Sequence, residues 1–331
     1  MTEQAALKQA IEKFNSNFLG IESQISQVIV GMQDVVRGAV SAIFAGGHVL
    51  MEGVPGLGKT LLVKTITQSF GLAFKRIQFT PDLMPSDVTG TQVLTEDESG
   101  HRRFVFKPGP IFANIVLADE INRATPKTQA ALLEAMEERQ ITVLDETYQL
   151  QEPFFVLATQ NPIELEGTYP LPEAQLDRFL VKLQVPPPSG AQLKEILTRT
   201  TGVRVAEIRP VFHPQRVSEE VAAMRRLVRQ VVVPEPMMDM LVQVMEALTP
   251  QGDRATSTVR KYGRFGPGPR GAQAVLLLAK VKALLDGRIN LSFDDLRTSL
   301  VPALRHRMIL NFQAEADQIT SDDLIAEVAR Q

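Results

Sequence analysis

The sequence lacks the residues and patterns on which several classes of protein depend. None of its 331 residues is a cysteine, which excludes disulfides and thiolate metal sites. Its four histidines stand far apart and show no metal-ligand spacing. The longest apolar runs, such as Ala274–Ala279, are far too short to span a bilayer. We therefore expect no membrane insertion.

The sequence also lacks a large excess of charge of one sign and a targeting segment. The net charge is only -3, so the overall balance does not call for nucleic acid or an acidic lipid surface as a partner. The N-terminus carries Glu3 and Lys8 without an apolar segment, unlike a signal peptide. We expect a cytoplasmic protein, and 331 residues with 44% hydrophobic content suffice for two domains or subdomains.

The first half of the chain alternates between apolar strands and helices. Helical periodicity covers residues 5–30 and resumes after Gly31. Ile115–Ala118 and Phe154–Ala158 are continuously apolar, as buried parallel strands are. This alternation predicts an α/β fold with a parallel five-stranded sheet. The remaining predicted strands and helices are Val49–Met51, Arg76–Phe79 and Leu180–Val185, with Val35–Phe44, Leu61–Phe70 and Gln129–Glu138.

A proline-rich segment, Pro186–Gly190, then separates this half from a region without a strand pattern. Capping-box signals at Ser292 and Thr320 mark the starts of two helices there. We predict a nucleotide-binding domain over 1–187 and an all-helical lid domain over 188–331. The predicted lid helices are 191–200, 218–230, 236–248, 272–285, 292–304 and 321–330.

The strongest motif is a phosphate loop that matches G-x-x-x-x-G-K-[ST] between a predicted strand and a predicted helix. Its glycines let successive backbone N–H groups face phosphate, and the start of the helix adds the positive end of its dipole. Lys59 suits the β- and γ-phosphates, and the Thr60 hydroxyl suits Mg²⁺. The motif predicts binding of ATP with Mg²⁺. The candidate nucleotide-binding residues are Gly53, Val54, Pro55, Gly56, Leu57, Gly58, Lys59, Thr60 and Leu61.

Two carboxylates follow the buried strand Ile115–Ala118. Alone, Asp119 and Glu120 are equally consistent with a solvated turn. Downstream of a phosphate loop, Asp119 is a candidate for holding Mg²⁺ and Glu120 for deprotonating the attacking water. The pair predicts hydrolysis of ATP rather than binding alone.

Three further polar positions are candidates whose roles spacing does not decide. Asn161 follows a buried strand, where it suits a contact to the attacking water, although Asn-Pro is also ordinary turn chemistry. Arg178 precedes the fifth predicted strand and Arg270 opens a lid helix. Arginine near a γ-phosphate stabilises transition-state charge, but a surface ion pair is the commoner role. Arg123 is placed similarly, and spacing does not choose among the three.

Together these segments resemble the MoxR family of AAA+ ATPases. The resemblance is specific from about Val30 to Val185 and looser beyond, where Gly266–Pro269 departs from relatives that have a serine before the Pro-Arg pair. It is carried by Gly53–Thr60, Arg76–Leu83, Leu117–Ala124, Lys127–Met136, Ala158–Pro162, Leu171–Phe179, Gly268–Ala272 and Leu284–Arg288.

The resemblance implies roles for individual residues. Asp119 and Glu120 become the Walker B pair and Asn161 becomes sensor 1. Arg178 matches the arginine finger, which acts on ATP in a neighbouring subunit. Arg270 matches sensor 2, whose action in cis or in trans the resemblance leaves open. These assignments imply a ring, usually a hexamer, with ATP sites between protomers.

The resemblance also implies a working mode and partners. Thr91–Pro110, with Gly100 at its tip, resembles the helix-2 insert hairpin, and Glu138–Pro153 resembles the pre-sensor-1 hairpin; both are equally consistent with ordinary surface hairpins. The family implies chaperone-like maturation of a client protein complex together with a separate von Willebrand factor A domain protein. A nucleic-acid motor and a metal-chelatase motor subunit are the alternatives within the same clade, and a monomeric P-loop kinase is a further one. Mixed charge on the hairpins disfavours nucleic acid.

Overall fold

The computed structural model describes residues 3–96, 101–144, 146–162, 167–202 and 206–330. A short 3₁₀ helix, Ile121–Arg123, follows the fifth strand. The strands are β1 His48–Glu52, β2 Phe74–Gln78, β3 Gly90–Glu96, β4 Arg102–Pro108, β5 Ile115–Asp119, β6 Gln140–Val143, β7 Glu146–Gln149, β8 Phe155–Gln160, β9 Phe179–Gln184, β10 Gly263–Phe265 and β11 Ile309–Leu310. The helices are α1 Glu3–Ser26, α2 Gln33–Ala45, α3 Lys59–Phe70, α4 Pro85–Thr89, α5 Pro126–Glu138, α6 Glu173–Leu176, α7 Gly190–Thr201, α8 Val217–Gln230, α9 Glu235–Ala247, α10 Ser257–Tyr262, α11 Pro269–Leu285, α12 Phe293–Leu304, α13 Phe312–Ala316 and α14 Ser321–Val328.

The five predicted strands form one parallel sheet in the order β2-β5-β8-β1-β9. The predicted α/β class and the parallel five-stranded sheet are confirmed. Every residue of β5 is buried, as are the first five of β8, because helices cover both faces of the sheet. All five strands run the same way, so their carboxyl ends share one edge and their amino ends share the opposite edge.

Helices α1, α2 and α3 cover one face of the sheet through a chain of aromatic rings. Phe44 packs against Phe14 and Phe70, with ring centroids 5.5 and 5.6 Å apart. The predicted helix 5–30 ends earlier, at Ser26, before the β-branched run Val28–Val30, whose side chains are disfavoured in a helix. The same hydrophobic cluster continues into the lid helices.

Two hairpins project from the core at the predicted places. β3 pairs with β4 and β6 pairs with β7, both antiparallel. The tip expected at Gly100 lies outside the described residues. Phe106 of the first hairpin stacks on Tyr148 of the second, with centroids 4.0 Å apart. The two hairpins therefore pack against each other.

The six predicted lid helices are all present, but "all-helical" was wrong in one detail. β10 and β11 pair antiparallel where the sequence showed no strand pattern. Strands of three and two residues are too short to display an alternating pattern. The short helices α10 and α13 were also missed. Both predicted capping boxes are present, at Ser292 and Thr320.

The proline-rich segment between the two halves is irregular, as predicted. Ser189 at its end caps α7 by accepting a hydrogen bond from the backbone of Gln192. Among the described helices, none has the length and apolar character that crossing a membrane requires.

Candidate functional site

The phosphate loop connects the carboxyl end of β1 to the start of α3. Gly56 and Gly58 have φ angles of +83° and +81°, which L side chains rarely adopt. A Cβ at either position would meet nothing within 4 Å, so backbone conformation rather than crowding requires glycine. At Gly53 a Cβ would lie 3.0 Å from the Val185 backbone oxygen, which makes close approach the reason there. The loop is thus shaped as the motif predicts.

Lys59 turns its ammonium group back onto this loop. Its Nζ donates to the carbonyl oxygens of Gly53 and Val54, the latter at 3.0 Å. Burial lowers the pKa of Lys59, while the carboxylates of Asp119 and Glu120 oppose that shift. The ammonium is therefore held at the loop by weak neutral acceptors that phosphate oxygens can replace.

Asp119 is 6% exposed at the end of β5, and both of its carboxylate oxygens are bonded. The Thr159 hydroxyl donates to Oδ1 at 2.6 Å, and the Thr60 hydroxyl donates to Oδ2 at 3.1 Å. Arg76 contacts Oδ2 with Nε at 3.0 Å and Nη2 at 2.8 Å. A hydroxyl and a carboxylate oxygen thus lie side by side below the phosphate loop. Hard oxygen ligands of this kind fit Mg²⁺.

Glu120 has a left-handed backbone, with φ 57° and ψ 50°. Its N–H donates to the Thr159 hydroxyl at 2.8 Å, and its Oε2 accepts from Gln78 Nε2 at 2.8 Å and pairs with Arg123 at 3.2 Å. A non-glycine residue held at positive φ is maintained by its surroundings and often occurs at functional sites. Two neighbours, Gln78 and Arg123, thus orient the side chain of Glu120, and Thr159 holds its backbone.

Asn161 lies directly after β8, between the two strands that carry the loop and the acidic pair. It is 4% exposed, and its backbone oxygen accepts from Asn122 Nδ2 at 3.4 Å. The preceding Gln160 accepts from the N–H of Gly53 at 3.3 Å. The phosphate loop, Asp119, Glu120 and Asn161 therefore meet at the carboxyl edge of the sheet.

Arg178 and Arg270 lie at the opposite edge. Arg178 precedes Phe179, which pairs with His48 at the start of β1, whereas the phosphate loop follows the end of β1. At about 3.3 Å per residue, these two ends are roughly 13 Å apart. Both arginines line a cavity of about 260 Å³ beside His48. They do not reach the phosphate loop of their own chain.

Acidic side chains hold the arginines at this second site. Glu137 Oε2 pairs with Arg178 at 3.0 Å, and its Oε1 pairs with Arg270. Asp177 bonds Arg307 Nε at 2.6 Å. Burial lowers the pKa of Arg307, and this carboxylate opposes the shift.

Sequence analysis did not identify three residues that contact the acidic pair: Arg76, Gln78 and Thr159. Arg76 and Gln78 share one face of β2 because they are two residues apart, and β2 lies beside β5. For Thr159 the available signal was a polar residue near the end of the otherwise apolar β8, and for Arg76 and Gln78 it was their two-residue spacing on one face of β2. Leu61, a predicted nucleotide-binding residue, lies in the first turn of α3 and is exposed, while Leu57 packs against the large core cluster.

A parallel αβα core with a phosphate loop and an acidic pair at one edge, followed by a helical lid, defines a P-loop nucleotide-binding protein. Residues 48–181 match the family described as "ATPase family associated with various cellular activities (AAA)", and residues 255–328 match the AAA lid domain.

Comparison with similar proteins identifies the family within this class. The chain is 38% identical to "Chaperone MoxR1" of Mycobacterium tuberculosis, over 92% of this chain and 79% of that protein. It is 31% identical to "Protein MoxR" of Methylorubrum extorquens, over 91% and 90% of the two chains. The crystal structure of a provisionally named ATPase from Cytophaga hutchinsonii superposes with a TM-score of 0.90 at 34% identity, covering 100% and 98% of the two chains. The chain belongs to the MoxR family of AAA ATPases, and this membership implies ATP binding.

Proposed function

We propose that this protein hydrolyses ATP with Mg²⁺ in a ring of identical chains and remodels or matures a client protein complex. The observation that carries the proposal is the separation of the site into two edges of one sheet. The acidic pair and the phosphate loop lie at one edge, and Arg178 and Arg270 lie at the other. A ring brings these two edges together between neighbours.

At the carboxyl edge, each residue has its own role in hydrolysis. Lys59 exchanges the carbonyls of Gly53 and Val54 for phosphate oxygens, and the loop N–H groups donate hydrogen bonds to the other phosphate oxygens. The Thr60 hydroxyl and the Asp119 carboxylate would hold Mg²⁺, which would supply positive charge to neutralise the phosphates. Glu120 takes the proton of the attacking water, and Asn161 orients that water.

At the amino edge, each chain supplies cations to its neighbour. Arg178 and Arg270 of one protomer stabilise the charge that develops on the γ-phosphate of the next, which makes Arg270 act in trans. The family resemblance favours a hexamer. We take residues 1–187 as the nucleotide-binding domain and 188–331 as the lid that carries Arg270.

The hairpins support a protein client. Leu94 and Phe104 of the first hairpin are 54% and 68% exposed, and Arg102 of the same hairpin pairs with Glu96 across the strands. Exposed apolar side chains favour contact with a polypeptide over contact with a phosphate backbone. The relative named "Chaperone MoxR1" supports a chaperone-like role. We propose, on the family resemblance alone, that the protein acts in the cytoplasm together with a von Willebrand factor A domain protein.

The hydrolysis step is tested by Glu120→Gln. This variant should bind ATP as the wild type does and lose turnover, because the amide cannot accept the proton of water. Glu138→Gln, on the exposed end of α5, is the control and should keep full turnover. Retained hydrolysis by Glu120→Gln would remove the role assigned to this residue.

The remodelling role is tested with the same variant. Pull-down of Glu120→Gln with ATP should recover a client complex and a von Willebrand factor A domain protein. Tight binding to single-stranded DNA that weakens steeply with salt would support the nucleic-acid motor instead.

A further inference from the structure

We infer that Glu137 is a positioning residue, which holds Arg178 and Arg270 together for delivery to the ATP of a neighbouring protomer. The inference rests on the proposed function, in which these arginines act in trans. It assigns a new role to the acidic end of α5, which lies far from the phosphate loop of its own chain.

A single carboxylate bridges the two guanidinium groups. Its Oε2 lies 3.0 Å from Arg178 Nη2, and its Oε1 contacts Arg270 Nη2. Arg178 belongs to the core, just before β9, whereas Arg270 belongs to the first turn of the lid helix α11. Glu137 therefore determines the distance between two cations that come from different parts of the chain.

The backbone around Glu137 is anchored to β1. The buried ring of His48 lies 3.1 Å from the Met136 carbonyl oxygen through Nε2, and its Nδ1 accepts from Val156 N–H at 3.0 Å. The Nε2 atom therefore carries the proton and donates to Met136. Arg139, which ends α5 with a left-handed backbone, donates to the Gly46 carbonyl oxygen at 3.1 Å. The end of α5 is thus tied to the strand that leads to the phosphate loop.

The charges at this site sum to a net positive charge, which favours binding of an anion. Among the residues that the structure describes, Arg178, Arg270 and Arg307 pair with two carboxylates there, those of Glu137 and Asp177. Arg178 and Arg270 keep 29% and 48% of their side-chain surface exposed, so they are accessible from outside the chain. A γ-phosphate presented by a neighbour would meet two cations already drawn together. Without Glu137, the two like charges repel each other and part.

This role predicts a specific change in kinetics. In Glu137→Gln the charge that pairs with both arginines is lost, but the shape of the side chain is kept. Because partly exposed ion pairs are modest, we expect kcat to fall roughly three- to tenfold. KM for ATP should stay unchanged, since contacts made only in the transition state lower kcat and kcat/KM equally.

The test uses rings in which only one kind of protomer hydrolyses ATP. Wild-type chains are mixed with a large excess of carrier chains that bear Glu120→Gln, so all turnover occurs in the wild-type chains. Four carriers are compared: Glu120→Gln alone, and Glu120→Gln with Arg178→Ala, Glu137→Gln or Glu138→Gln. Glu138 is the matched control because it is the exposed next residue on α5. Thermal unfolding of each carrier verifies that it folds.

The expected order of turnover separates the inference from the proposed function. The Glu138→Gln carrier should match the parent carrier, Arg178→Ala should abolish most turnover, and Glu137→Gln should lower it roughly three- to tenfold. Full turnover with Glu137→Gln, while Arg178→Ala still abolishes it, would overturn the role of Glu137 alone. Full turnover with Arg178→Ala would overturn both the role in trans and the inference.

Discussion

Replacing Thr159 by valine should separate the acidic pair from the strand that orients it. Thr159 is fully buried at the end of β8. Its hydroxyl donates to Asp119 Oδ1 at 2.6 Å and accepts from the N–H of Glu120 at 2.8 Å. Valine has the same shape but no hydroxyl. Both residues of the acidic pair would therefore lose the same partner at once.

The expected magnitude follows from these two bonds. The bond to the charged carboxylate is worth about 1.5–3 kcal/mol, and the buried Glu120 N–H left without an acceptor costs about 1–3 kcal/mol. Arg76 and Thr60 still hold the other oxygen of Asp119, so we expect about 2–4 kcal/mol of lost stability rather than the full sum. Partners that orient metal ligands typically contribute 10- to 100-fold, so turnover and apparent Mg²⁺ affinity should fall roughly that much.

The assay is ATP turnover as a function of Mg²⁺ concentration, combined with chemical denaturation. Thr159→Ser keeps the hydroxyl and is the matched control, which should retain most of both properties. A folded Thr159→Val variant with wild-type kcat and wild-type Mg²⁺ dependence would refute the idea that Thr159 orients the acidic pair.

Two further predictions concern stability. Burial, together with the nearby charge of Arg139, lowers the pKa of His48 from 6.5 to about 3. Below about pH 6.5 only the unfolded chain takes up this proton, so the free energy of unfolding decreases as the pH is lowered. Lowering the pH from 8 to 5 should cost about 2 kcal/mol through His48, measured by urea unfolding as the difference between wild type and His48→Gln; the exposed His213→Gln should keep the wild-type dependence. Asp295 is fully buried and accepts two bonds from Arg288, at 2.7 and 2.8 Å. Asp295→Asn should therefore lower the free energy of unfolding by about 2–3 kcal/mol, and an effect no larger than that of the exposed Asp294→Asn would contradict this account.

The parts of the fold that the sequence predicted are those with local signals. The phosphate loop needs glycines at Gly56 and Gly58 because the backbone there has positive φ, and that requirement is local. β5 and β8 were recognisable because helices bury them on both faces, which demands continuous apolar residues. Capping boxes are equally local, since each joins residues three positions apart.

What escaped prediction depends on contacts between distant segments. The acidic pair is contacted by Arg76, Gln78 and Thr159 only because β2 and β8 flank β5. The order of strands in a sheet cannot be read from any single segment of the sequence. The pairing of Glu137 with Arg178 and Arg270 likewise joins residues that lie far apart along the chain. The pair β10–β11 was missed because two or three residues cannot display a period of two.

The division of the ATP site between two chains is the central claim, and a mixing experiment tests it most directly. Arg178→Ala chains keep an intact phosphate loop and acidic pair, whereas Glu120→Gln chains keep the arginines. Each variant alone should hydrolyse ATP very slowly. If Arg178 acts on a neighbour, mixing the two should restore turnover, because Glu120→Gln chains supply the arginine to intact sites on Arg178→Ala chains. Mixed samples that assemble but remain as inactive as the separate variants would contradict the account.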